Sequence, residues 1–282
     1  STLGMINMNS SQQLLVALQN QGCVFTKKTD AGSYSTDKKV LNKLAKDHLI
    51  VKELLLYRAM MKLKNTYFDG ILARLTPDDY CHTSFNQNVR TGRMSSRAPN
   101  FTNMPRGNLV RDIFICPEDY IYILADYSQI EIRITAHYSK DPLLLEAYRL
   151  GQDVHTRTMS EVFGVDYDLA VEILSNKKNP RYEEVSTLRT VCKIVNFGVI
   201  YGVSPMGLSE QIPRPAKYAN ASEEEWVEVC TQYVEDYFEK YQGVKRFVDK
   251  YSYLAKKQAF VETHFGRIRH LPEVNAVAIL GD

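Results

Sequence analysis

"TLRTVCKIVNFGVIYG", residues 187–202, spaces four side chains four apart: Arg189, Lys193, Phe197 and Tyr201. On a helix these are successive neighbours and form one slowly drifting stripe. The pattern predicts a helix over 184–202. Two cations near its start oppose the helix dipole at a small cost, and a bound anion would reverse that cost. Helix N–H groups, Arg189 and Lys193 would then converge on phosphates. One or two turns further on, Phe197 and Tyr201 offer flat faces to a nucleobase. The stripe reads phosphates, sugar, base. A surface Arg/Lys pair beside two core aromatics gives the same pattern, so other stretches must decide.

One of these is "YIYILADYSQIEIRITAHYS", residues 120–139. Six β-prone residues, 120–125, predict a buried strand, and Asp126 stands at its end. A carboxylate there suits a Mg²⁺ ligand. Ser128, Gln129 and Glu131 follow, so a helix N-cap accounts for Asp126 equally well in isolation. The other is "TGRMSSRAPNFTNMPRGNLVRDIF", residues 91–114, where short polar side chains and arginines suit contacts to phosphates, sugars and minor-groove acceptors.

The charge distribution supports a polyanion partner. The formal net charge is only +2, yet Cys81 to Arg111 holds Arg90, Arg93, Arg97, Arg106 and Arg111 without an acid. Thr263 to Pro272 holds His264, Arg267, Arg269 and His270, again without an acid. Such segregation marks a surface for nucleic acid, although solvated basic loops would look alike.

Around these stretches the 282 residues read as a globular chain of more than one unit, 44% hydrophobic and 24% charged. No apolar run is long enough to span a membrane. The start, "STLGMINMNSSQQ", has no signal-peptide pattern, and five scattered cysteines fit free thiols in a reducing compartment. A cytoplasmic location is expected. Residues 37–66 predict a pair of helices, with Leu41, Leu44, Leu49, Val51, Leu54, Leu55 and Met61 at helical steps. Helices are also expected at 129–138, at 142–150 after Asp141-Pro142, and at 244–258. A loop with three prolines is expected at 203–221. Ser222 and Glu225 form a capping box for a helix with Trp226, Cys230, Tyr233 and Tyr237 on one face. "AFVETHFGRIRHLP" reads as a hairpin around His264–Gly266.

Together these stretches resemble the family A DNA polymerases, the group of bacterial DNA polymerase I and its phage and mitochondrial relatives. "DYSQIEIRITAH" resembles the first catalytic motif of the palm, "RTVCKIVNFGVIYG" the nucleotide-binding helix of the fingers, and "TGRMSSRAPNFTNMP" the primer-template loop. "GQDVHT" and "FVETHFGRIRHLP" are lesser matches, and the likeness runs from about Met5 to Pro272. The resemblance implies an α+β fold, a partial right-hand core that is mostly helical with a small antiparallel palm sheet. It implies the later part of the thumb at 1–66, the first half of the palm at 67–135, fingers at 136–270, and a return toward the palm at 271–282.

The roles the resemblance implies follow by position. Asp126 and the backbone carbonyl of Tyr127 would hold Mg²⁺, two ions in a complete site. Glu131 would crowd the sugar 2′ position and bond Tyr201, favouring deoxyribonucleotides, with Gln129 beside it in the nucleotide site. Arg189, Lys193 and His155 would contact the triphosphate of a dNTP, Lys193 also stabilising the reaction. Phe197 would stack near sugar and base, and Tyr201 would occupy the templating position in the open state. Arg93, Arg97, Asn100 and Asn103 would touch primer-template DNA. Thr190 stands where many members carry a second arginine, which implies a weaker triphosphate grip.

Two-metal chemistry needs paired carboxylates around ions about 3.5–4 Å apart. The family's second acid comes from a His-Asp-Glu motif, which this chain lacks; the only Asp after Asp249 is Asp282. The expectation is therefore a polymerase piece completed by a C-terminal segment carrying that Asp. A non-catalytic nucleic-acid or nucleotide-binding module is the alternative. A single-subunit RNA polymerase is a third, opposed by Glu131.

Overall fold

In the computed structural model, residues 6–274 are described apart from 30, 90 and 106. Arg90 and Arg106 of the basic stretch, and residues 275–282 of the expected return to the palm, lie outside the described residues. The chain divides into two compact units, Ser1–Tyr122 and Ile123–Asp282.

Unit 1 opens with two capped helices. Helix α1 (Ser11–Asn20) starts where the Ser10 side chain accepts from the Gln13 N–H. Helix α2 (Lys38–Leu44) is capped by Asp37, which accepts from the Val40 N–H. Those contacts, with Lys27 nearby, bring the Asp37 carboxyl down to about 2. Helix α3 (Leu49–Lys62) runs into a π-helical turn, Leu63–Phe68, then α4 (Asp69–Leu72). Leu14, Leu18, Cys23, Phe25, Leu41, Val51 and Leu54 form one core; Tyr67, Ile71 and Val110 form a smaller one. The expected helix pair over 37–66 is present, but Leu49 is largely exposed. Strand β1 (Ser84–Asn86) pairs antiparallel with β2 (Ser95–Arg97), and α5 (Asn108–Arg111) follows.

Unit 2 is a helical bundle with one hairpin. Its elements are α6 (Ile130–Ser139), α7 (Pro142–Arg149), α8 (Val154–Phe163), α9 (Tyr167–Ser175), α10 (Tyr182–Ile200), α11 (Pro205–Ser209), α12 (Glu223–Lys240) and α13 (Gln242–Gln258). The hairpin pairs β3 (Phe260–Glu262) with β4 (Ile268–His270), antiparallel, as its Gly-containing turn predicts. The Ser222–Glu225 capping box forms, and Trp226, Cys230, Tyr233 and Tyr237 are all buried in the main core with Val191, Val195 and Val199 of α10. The fold is α+β, mostly helical with two small antiparallel sheets.

One buried carboxylate joins the first and last parts of this bundle. Asp141 is fully buried; its Oδ1 accepts from the N–H groups of Leu143 and Leu144, capping α7. Its Oδ2 accepts from the N–H groups of Gly243 and Val244 at the start of α13, at 2.8 and 3.3 Å. A Cβ on Gly243 would lie 2.7 Å from the Asp141 Cα, so only glycine fits.

Three expectations fail. Residues 120–125 form no strand, and Ile121 and Leu124 are 82% and 88% exposed. A strand needs a neighbour for its N–H and C=O groups, and among the described residues none pairs with this run. The 203–221 stretch is not all loop: Ser204 caps α11, with Pro205 at its first position. Helix α10 begins at Tyr182, so Arg189 sits about 10 Å along its axis. The first turn carries Glu183 and Glu184 instead, so its N–H groups cannot share an anion with Arg189.

Candidate functional site

The α10 stripe forms in unit 2, and its members sit in different surroundings. Arg189 is about one-third exposed and is held side-on by Asp153: its Nε donates to Oδ1 at 3.1 Å, and its Nη2 to Oδ2 at 3.0 Å. Lys193 is exposed and makes no ion pair among the described residues. Phe197 is half-buried, its ring centroid 5.8 Å from that of His155. Tyr201 caps the end of α10 and is 59% exposed. The side between Arg189 and Phe197 thus keeps one cation open to solvent, another fixed by a carboxylate, and a histidine beside the aromatic ring.

Asp153 is the residue that organises this corner, and sequence reasoning passed over it. It caps α8, accepting at Oδ1 from the Thr156 N–H (2.9 Å) and hydroxyl (2.8 Å). Its Oδ2 also accepts from Gln129 Nε2 at 2.9 Å. Partial burial pushes the Asp153 carboxyl up, but the bonds from Arg189 and Thr156 outweigh burial and hold it below the usual range. The signal was present in "GQDVHT", an Asp at the N-cap position three residues before Thr156.

His155 is buried, 4% exposed, and burial is the main reason its value falls from 6.5 to about 4; the Arg189 and Lys193 charges add to that and Asp153 opposes it. It is neutral at pH 7. Its Nδ1 accepts from Asn196 Nδ2 at 3.2 Å, which leaves the ring proton on Nε2. Asn196, fully buried, also donates to Thr158 Oγ1 at 3.0 Å, and that hydroxyl lies 3.1 Å from the Tyr241 hydroxyl. Asn196 was missed too, although an amide between Val195 and Phe197 on a core helix signals a buried hydrogen bond.

Asp126 is exposed and does not cap α6; the cap position is Gln129, left-handed at φ 53° with no side-chain cap bond. The N-cap account of Asp126 is therefore removed. Tyr127 is also exposed, and Glu131 is half-buried in the first turn of α6. Asp126 and the Tyr127 carbonyl fit part of a divalent-cation site. Among the described residues no group of three or more His, Cys, Asp or Glu could hold a metal.

The loop residues belong to unit 1 and form their own surface. Arg93, Arg97, Asn100 and Asn103 are exposed. Asn100 Oδ1 accepts from Ser96 Oγ (3.3 Å) and Thr102 Oγ1 (2.7 Å), which directs its oxygen inward. Asn103 is tied by its backbone carbonyl to the Tyr67 hydroxyl at 2.7 Å. All five cysteines are free thiols. No described helix is long and apolar enough to cross a membrane.

Along α10, then, two cations, Arg189 and Lys193, are followed by two aromatic rings, Phe197 and Tyr201. A sequence model of DNA polymerase family A matches residues 1–279, and the chain belongs to that family. It is 39% identical to DNA polymerase I of Bacillus subtilis over 278 residues, 96% of this chain and 29% of that protein. It is 38% identical to DNA polymerase I of Pseudomonas aeruginosa, covering 28% of it. The chain thus spans less than a third of the curated relatives it matches. A solved structure, the POL domain of Pol1 from M. smegmatis in complex with DNA primer-template and dNTP, is similar with a TM-score of 0.75. Identity to it is 35%, over 96% of this chain and 44% of that one.

Proposed function

We propose that this chain is part of the core of a template-directed DNA polymerase, transferring nucleotides from dNTPs to a primer 3′ end. The observation that carries the reading is the α10 stripe: Arg189 fixed by Asp153, Lys193 open to solvent, and His155 beside Phe197. In this reading Arg189, Lys193 and the Nε2–H of neutral His155 contact the triphosphate. Phe197 packs near sugar and base, Tyr201 fills the templating position before a nucleotide enters, and Glu131 blocks a 2′ hydroxyl. Gln129 borders the same site. Arg93, Arg97, Asn100 and Asn103 bind primer-template DNA. The protein acts where its DNA lies, in the cytoplasm, at a nucleoid or in an infected host cell.

The proposed parts are later thumb at 1–66, first half of the palm at 67–135 and fingers at 136–270. Asp126 and the Tyr127 carbonyl are the proposed ligands to magnesium. Two such ions, when bound, would neutralise charge on the reacting phosphates. The second carboxylate is assigned to a further polymerase segment. The apolar run at 120–125 pairs with no strand among the described residues, and a strand from such a segment would cover its exposed side chains.

Primer extension tests the reading, with the chain mixed with a segment carrying the family's second Asp. Synthesis is expected with wild type, and Asp126→Ala should abolish it while DNA binding is kept; extension near the wild-type rate would refute the metal role. A second reading, a nucleic-acid-binding module without catalysis, rests on the exposed Arg93 and Arg97 of the basic loop. Robust extension by the chain alone would exclude it.

A further inference from the structure

We propose that Asp153 is a positioning residue for the phosphate-binding arginine, a role that rests on the function proposed above. Arg189 has five N–H donors, and Asp153 engages Nε and one hydrogen of Nη2. Both hydrogens of Nη1 and one of Nη2 remain for an anion. The carboxylate therefore aims the guanidinium without competing for the edge that would meet phosphate. Asp153 is itself over-determined. Its backbone N–H donates to the Tyr167 hydroxyl at 3.0 Å, and its side chain takes two bonds from Thr156 and one from Gln129. One carboxylate thereby locks α8, α10 and the residue before α6 into one frame.

The division of labour has a chemical consequence. Paired with Asp153, Arg189 contributes little net charge and contributes direction; Lys193 supplies the charge. Pre-ordering a long side chain removes an ordering cost that would otherwise weaken binding by about 3- to 10-fold. Asp153→Asn separates the two effects. Asparagine caps a helix as well as aspartate does, so α8 keeps its start. Its Nδ2, however, would face the Arg189 and Gln129 donors and lose both bonds. If Asp153 acted only as a negative charge near the site, its neutralisation would tighten anion binding. If it positions Arg189, binding weakens.

The test is calorimetric titration of the chain with dATP and, separately, with inorganic tripolyphosphate. Asp153→Asn should weaken both by about 3- to 10-fold. In an Arg189→Ala background the same substitution should cause no loss. Asp153→Ser, which also caps but cannot grip the fork, should match Asp153→Asn and keeps the test open if one variant does not fold. Tighter or unchanged binding, or an equal loss without Arg189, would overturn the proposal. Failure of wild type to bind either probe, or indifference to Lys193→Ala, would instead overturn the phosphate reading of the stripe, and this role with it.

Discussion

The sharpest expectation concerns acid. His155 is buried and neutral, its value lowered to about 4, whereas in the unfolded chain it returns to 6.5. Between these two values the unfolded state binds a proton that the folded state refuses, so stability is lost as pH falls from about 6.5 to about 4. The full loss is about 3 kcal/mol, and about 2 kcal/mol is reached by pH 5. The lowered carboxyls Asp37 and Asp153 titrate below that window. Urea unfolding at pH 7 and pH 5, followed by circular dichroism, reads the effect. With a slope of about 2 kcal/mol per molar, the wild-type midpoint should drop by roughly 1 M more than that of His155→Gln. Equal drops in the two proteins would refute the burial argument.

Two further expectations concern neighbouring elements. Gly243→Ala places a methyl against the Asp141 backbone and should cost about 1–3 kcal/mol; an unchanged melting temperature would show that the α7–α13 contact can relax. In an active assembly, Lys193→Ala should raise the apparent KM for dNTPs and lower kcat by about 10²-fold or more, since it removes charge from the developing transition state. A loss seen only in DNA affinity would place Lys193 elsewhere.

Local chemistry was legible in the sequence, and long-range pairing was not. The Ser222–Glu225 box, the Trp226-to-Tyr237 face and the 260–270 hairpin depend on neighbours within a few residues, and all three form. The stripe on α10 follows from helical spacing alone. The Arg189–Asp153 pair spans 36 residues, so no window of sequence displays it. Helices α8 and α9 were overlooked, although Asp153 and Asp166 both cap them. The 120–125 run shows the opposite limit: composition reports a readiness to pair, while pairing itself depends on another strand.

The Asp141 clasp also bears on how unit 2 folds. Its acceptor bonds to Gly243 and Val244 join residues 102 and 103 apart. Until α13 arrives, one carboxylate oxygen must stay in water, because burying it without donors is costly. Closure of the bundle is thus delayed to its last helix. The unit is expected to unfold in one step, with no stable intermediate that keeps α7 packed after α13 has left.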